Sequence, residues 1–112
     1  MDKDIKVCLY DILQSIHEIE SYYTDKPKRF DEYKADTKTK RAIERNIEII
    51  GEAVYRIRNI DADFKINNSE QIIGTRNILA HGYDKVSDEV MWSIVINHLP
   101  KLQKEIEEML GE

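Results

Sequence analysis

Apolar residues recur at every third or fourth position along most of this chain, and that one periodicity excludes most folds. A helix turns about 100° per residue, so residues three and four apart share a face. Ile43, Ile47, Ile50, Val54 and Ile57 make such a stripe on a helix from Thr39 to Arg58, widened by Ile49 and Ala53. Ile5, Cys8, Leu9, Ile12, Ile16, Ile19 and Tyr23 make another from about Lys3 to Tyr23. A third begins after Ser87, a candidate cap, with Val90, Met91, Ile94, Val95, His98 and Leu99. A kink or restart is expected at Pro100, after which Leu102, Ile106, Met109 and Leu110 continue the spacing to a stop at Gly111. No strand-like alternation, repeat or low-complexity stretch interrupts the pattern. Each stripe must be buried against another, so the fold class is all-α: a single-domain antiparallel bundle of four or five helices spanning residues 1–112. A chain of 112 residues buries a sizeable core without disulfides or a structural metal.

Between the stripes, Thr24 to Arg29 with Pro27 reads as a connection, and a short helix through Phe30 and Tyr33 follows it. Asp36 or Thr37 then offers a side-chain cap. Gly51 inside the second long helix costs about 1 kcal/mol relative to Ala, which points to close approach of a neighbouring helix. Asn59 to Asn68 breaks the periodicity, with Ile60, Phe64 and Ile66 expected to tuck the loop onto the bundle. Asn68 and Gln71 are spaced as a capping box that opens the next helix. Trp92 falls off its stripe, and as an exposed aromatic it is a candidate for a subunit contact.

Composition narrows the chemistry. Cys8 is the single cysteine and lies in an apolar stripe, and three scattered histidines, with His17 on an exposed face, have no zinc-ligand spacing. Neither a metal site nor a cofactor is expected. The charged start from Met1 to Lys6 lacks a signal-peptide core, and no apolar run reaches membrane-spanning length, so a cytoplasmic protein with no membrane partner is expected. The net charge of −5 argues against broad nucleic-acid affinity, which depends on Lys and Arg neutralising phosphates. An RNA ligand would need a local patch, for which Lys26, Lys28 and Arg29, or Lys38, Lys40, Arg41 and Arg45, are available; such runs also occur as plain solvated faces.

The residues that combine in a different way run from Arg76 to Tyr83, Arg-Asn-Ile-Leu-Ala-His-Gly-Tyr. Within two helical turns they hold a permanent cation, an amide, an imidazole that titrates near neutrality and a phenol. Ile72, Arg76, Leu79, Ala80 and Tyr83 share one side; Asn77 and His81 are an i,i+4 pair on an adjacent one. Gly82 is suited to end the helix in a left-handed conformation, leaving His81 at its mouth and Tyr83 on the departing loop. Arg76 on an apolar side must meet a carboxylate or line a wet cleft. Glu52, beside Gly51, either orients Arg76 from the neighbouring helix or is one more surface carboxylate.

The order Arg, polar residue, three residues, His, one residue, Tyr resembles the signature of HEPN-superfamily ribonucleases, and in particular the HepT-like toxins paired with minimal nucleotidyltransferase antitoxins. Ile49-Ile50-Gly51-Glu52-Ala53 and the stretch from Val86 to Trp92 also resemble family segments, so the likeness covers most of the chain. The resemblance implies a HEPN-like helical domain that forms a homodimer with its cleft between two subunits. It also implies a toxin-antitoxin role, in which the nucleotidyltransferase attaches adenylate to Tyr83 and blocks that cleft.

Independently of the family, RNA is cut without metal when its 2′-hydroxyl attacks the adjacent phosphate. That step needs one proton acceptor, one proton donor and a cation at the phosphorus. His81 is the candidate acid/base, Arg76 the candidate phosphate clamp, and Asn77 a positioning group for His81 or a phosphate oxygen. Two imidazoles require two copies of the motif, which a symmetric dimer supplies. The competing expectation is a catalytically inactive helical subunit whose cleft only docks a nucleotidyltransferase or a nucleotide.

Overall fold

The computed structural model describes residues 1–82 and 86–111, and all regular secondary structure among them is helical. The first helix, α1 (Lys3–Ser21), starts where Asp2 accepts hydrogen bonds from the amides of Asp4 and Ile5 at 2.7 and 3.1 Å. A short α2 (Phe30–Ala35) leads to α3 (Thr37–Ile60), the longest helix. The Asp36 carboxylate opens α3, accepting from the Thr39 amide at 3.1 Å and from its hydroxyl at 2.7 Å. Thr39's hydroxyl and amide hold the Asp36 carboxyl below its ordinary pKa.

Helices α1 and α3 form the central pair and run antiparallel: Tyr22 at the end of α1 accepts a hydrogen bond from Asn46 at 3.2 Å, in the first half of α3, while Asp11 faces the Arg45 to Arg56 stretch. Their stripes meet as read from the sequence, with Leu9, Ile12, Ile16, Ile19 and Ile43 fully enclosed. Leu13 and Ser15 are buried as well, so the buried face of α1 is wider than the sequence stripe. Cys8 belongs to this core, and burial pushes its thiol up.

The chain then folds α4 (Ser69–His81) back onto α3, and ends in a rod made of α5 (Asp88–Ser93), a π-helical turn over Ile94–His98 and α6 (Leu99–Leu110). Ser87 caps α5, accepting from the Val90 amide at 3.2 Å. As expected, regular α-helix restarts at Pro100, which sits in the first turn of α6, although the rod continues through the π turn without a gap. The proline withholds the amide that would close a normal turn, and the helix absorbs the defect one turn earlier by widening, with the Leu99 amide reaching the Ile94 carbonyl. The wider turn keeps Met91, Val95, Leu99, Leu102 and Ile106 buried in one line.

Three local expectations are corrected. Trp92 is not an exposed subunit anchor: its ring stacks on Tyr33 at 4.9 Å and meets Tyr23 edge-on at 5.8 Å, because α2 packs against α5 and brings the buried Tyr33 to it. Asn68 does begin α4, but at φ 62° it makes no side-chain cap bond, so the capping box with Gln71 is not formed. Instead the Glu105 carboxylate accepts from the Asn67 amide at 3.0 Å and ties the start of α4 to α6. Of the loop residues, Ile66 is buried and Phe64 half-buried, whereas Ile60 is exposed.

The contact that places α4 is made at Gly51. A Cβ there would overlap the Arg76 Cβ and lie 2.9 Å from its Cγ and 3.1 Å from the Ile72 carbonyl oxygen. Those atoms sit at the root of a side chain and in backbone, so they have little freedom to yield. Gly51→Ala gains about 1 kcal/mol of helix propensity and loses about 1–3 kcal/mol to overpacking, with α4 displaced besides; we expect a lower Tm by circular dichroism, and an unchanged or raised Tm would contradict the close approach. Asp36→Ala should also melt earlier near neutral pH. Because the folded pKa of Asp36 is depressed, its stabilisation is present above the ordinary carboxylate value of about 4 and fades as pH falls through the lowered one. The gap between variant and wild type should therefore close in acid.

Candidate active site

The close seam between α3 and α4 sets Arg76 against Glu52. Arg76 Nη2 donates to Glu52 Oε2 in a short ion pair, and Arg76 Nη1 donates to Asn77 Oδ1 at 2.9 Å. The other carboxylate oxygen of Glu52 accepts from Arg56 Nε at 3.3 Å, so one carboxylate holds two guanidiniums. Tyr55 adds its ring face to Arg76, with the guanidinium carbon 5.7 Å from the ring centroid. Glu52 therefore meets Arg76 from the neighbouring helix and is not an isolated surface carboxylate. Of the two fates open to Arg76, both are realised, since the same guanidinium also lines a solvent-open cavity of about 430 Å³ between α1, α3 and α4.

His81 is the last residue of α4 and is exposed, and Gly82 at φ 65° ends the helix, as read from the sequence. His81 follows Arg76 by five residues, which on a helix separates them by about 7.5 Å along the axis and about 140° around it. Within one chain the cation and the imidazole therefore leave α4 in different directions. Asn77 is exposed beside them and is drawn to Arg76 by the hydrogen bond just described. Tyr83 lies outside the described residues. No three His, Cys, Asp or Glu side chains converge as metal ligands among the described residues.

Arg56 belongs to the cluster and was not singled out from the sequence. The signal that would have found it is its i,i+4 spacing from Glu52, a helix-surface pairing too common to select one carboxylate from 22 acidic residues. The basic runs considered for RNA fare unequally. Lys28 is paired with Glu20 at 2.8 Å, Lys40 with Asp88 at 2.9 Å, and Lys26 lies over the Tyr23 ring. Arg45 alone among them reaches the cavity wall.

On its other side α4 leaves an apolar groove of about 360 Å³ facing the α5–α6 rod, lined by Ile47, Ile50, Ile72, Ile94 and Leu102 among others, with His98 at its edge. Only Ile73 of α4 is buried, and Ile78 of α4 with Val90 and Ile96 of the rod stay exposed.

The half-exposed pair of Glu52 and Arg76 is charge-assisted and partly screened, so Glu52→Ala should cost about 1–2 kcal/mol. Glu48→Ala should cost less than about 0.5 kcal/mol, because Arg45 lies 3.7 Å away with a 68% exposed side chain. Urea unfolding of the two variants measures both, and equal costs would deny the Glu52 bridge a structural role.

Comparison with known proteins bears on this cluster. The family described as "Ribonuclease HepT-like" matches residues 12–109. A protein of Methanocaldococcus jannaschii named "Putative RNase" is 40% identical over 98% of this chain and 90% of its own length. One of Thermococcus cleftensis named "Probable ribonuclease HepT" is 33% identical, covering 97% of this chain and 98% of its own. No solved structure shows a significant match. A helical bundle with Arg76 and His81 on its fourth helix, matched from Ile12 to Met109, belongs to the HepT-like ribonuclease family of the HEPN superfamily.

Proposed function

We propose that this chain is a metal-independent RNA endonuclease, the toxin of a toxin-antitoxin pair, whose active site is completed by a second copy of itself. The observation that carries the reading is the placement of Arg76: a guanidinium seated on Glu52 and Asn77 yet open to a cavity, on the same helix that ends at His81. Relatives named as ribonucleases along nearly the whole chain support the substrate class.

In the proposed reaction the 2′-oxygen forms a bond to phosphorus while the bond to the 5′-oxygen breaks. One imidazole accepts the 2′-hydroxyl proton, and a second, protonated, donates to the leaving 5′-oxygen. The products are a 2′,3′-cyclic phosphate and a 5′-hydroxyl. Arg76 balances the charge that accumulates on the phosphoryl oxygens, with Glu52 and Asn77 keeping its fork in place. The directions of Arg76 and His81 on α4 favour a cleft shared by two chains, where each contributes one imidazole. The apolar groove beside α4 and the exposed Ile78, Val90 and Ile96 offer surface for that pairing. A nucleotidyltransferase antitoxin is the proposed partner, silencing the enzyme by adenylating Tyr83.

The test is cleavage of single-stranded RNA in the presence of a chelator. His81→Ala should lower the rate by about a hundredfold or more, the scale of a general acid/base. Arg76→Ala should cost a similar factor. Undiminished cleavage by folded His81→Ala, or a monomer by light scattering at working concentration, would remove this mechanism. Absence of cleavage by wild type would favour the inactive docking subunit instead.

Tyr83 is separable from catalysis, since a phenol with a pKa near 10 is a poor proton carrier at neutrality. Tyr83→Phe should retain substantial cleavage yet gain no adenylate mass when incubated with the partner and ATP, while wild type does. Equal labelling of both proteins would move the modification elsewhere.

A further inference from the structure

Three of the six arginines in a chain of net charge −5, Arg45, Arg56 and Arg76, line the same cavity. Arg45 lies beside Glu48, Arg56 and Arg76 pair with Glu52, and Asp11 also lines the cavity, so its three cations are matched by three carboxylates. What sets the cavity apart is that it gathers three guanidiniums, whose planar forks suit phosphate.

Their order along the cavity is linear. Arg76 is anchored at Glu52, Arg56 lies one helical turn further along α3, and Arg45 lies two turns back. With 1.5 Å of rise per residue, these are displacements of about 6 Å on one side and about 10 Å on the other. The outer two guanidiniums are the more available. Arg56 and Arg45 have side chains 62% and 68% exposed. Arg56 gives Glu52 only its Nε, and the 3.7 Å between Arg45 and Glu48 is too long for a hydrogen bond. A phosphate presents each fork with two acceptor oxygens at little cost in broken contacts.

We infer that the wall of this cavity along α3 is a track for the phosphodiester backbone of single-stranded RNA, with Arg76 at the central phosphate and Arg45 and Arg56 holding phosphates on either side of it. One row of cations on one helix matches one strand, whereas a duplex presents two rows. The inference rests on the ribonuclease reading for its choice of RNA. Three carboxylates, Asp11, Glu48 and Glu52, share the cavity and set its character. Glu52 holds Arg56 and Arg76 and Glu48 lies 3.7 Å from Arg45 when the cavity is empty, and these carboxylates compete with phosphate when it fills. Binding by the track is consequently salt-sensitive, and Glu48 opposes it by occupying Arg45.

The test uses the full chain carrying His81→Ala, to suppress cleavage, and fluorescent oligouridylates of increasing length, with anisotropy read over a range of salt. Arg45→Ala and Arg56→Ala should each weaken binding about fivefold and each reduce the slope of log affinity against log salt by about 0.7, the value for one phosphate on a single strand. Arg56→Lys should restore the slope, and Glu48→Gln should tighten binding about threefold by freeing Arg45. Lys34→Ala, an exposed cation on α2, should change nothing. Unchanged affinity and slope in both arginine variants, an equal loss in Lys34→Ala, or no RNA binding by the parent would each overturn the track. Cleavage by the chain with native His81, assayed in parallel with chelator, separates the two readings. Cleavage with arginine-independent binding removes the track and keeps the ribonuclease; arginine-dependent binding without cleavage does the reverse. Arg45 and Arg56 lie outside the core, so both variants should keep the circular dichroism of the parent.

Discussion

The missing side chain at Gly51 is the constraint on which the site depends. Because nothing projects from α3 at that point, α4 lies close enough for the root of Arg76 to rest on the glycine backbone, and the guanidinium then meets Glu52 one residue along. The rest of α4 follows along α3, with Ile73 buried and Ile72 and Leu79 packed against the core, and the Glu105 carboxylate ties its start to α6. Helix α4 therefore lies with a polar cavity on one side and an apolar groove on the other.

The electrostatics follow from that seam. A guanidinium sunk into the bundle without a partner would be costly, and a fully enclosed pair would be too committed to exchange. Glu52 and Arg76 lie between these limits, with side chains 35% and 26% exposed. Water partly screens the pair, while Glu52 and Asn77 fix the direction of the guanidinium fork. Asn77 and Tyr55 contribute to the same aim without adding charge. The acidic balance of the chain, which by itself argues against RNA, coexists with three arginines gathered at one cavity beside three carboxylates.

The long helices were legible because their cores depend only on periodicity. Ile43, Ile47, Ile50, Val54 and Ile57 are buried as their spacing requires. Gly51 was legible for a related reason, since a helix interior does not accept glycine without a cause from outside the helix. What periodicity missed lies where a second element covers the back of a helix. Trp92 is off the stripe of its own helix and is partly buried all the same, because α2 supplies a wall through Tyr33. The restart expected at Pro100 is there, but the form of the join, one widened turn that leaves Leu99, Leu102 and Ile106 buried, was not legible in the spacing. The pairing of Asn68 with Gln71 failed because a left-handed backbone turns the asparagine away from the amides it would cap.

The sequence by itself determined the fold class, the order of the helices and the short segment carrying Arg76, Asn77, His81 and Tyr83, since all of these rest on local spacing and residue chemistry. Family membership was also written there, in the order of those residues and in the segments that flank them. Only the tertiary structure decided what Arg76 touches. Glu52 is 24 residues away, and the choice between a paired carboxylate and an idle one turned on how closely α4 settles on α3. The arginine-lined cavity was decided at the same level, for Arg45, Arg56 and Arg76 come together through the packing of two helices, a relation that no spacing along one helix encodes.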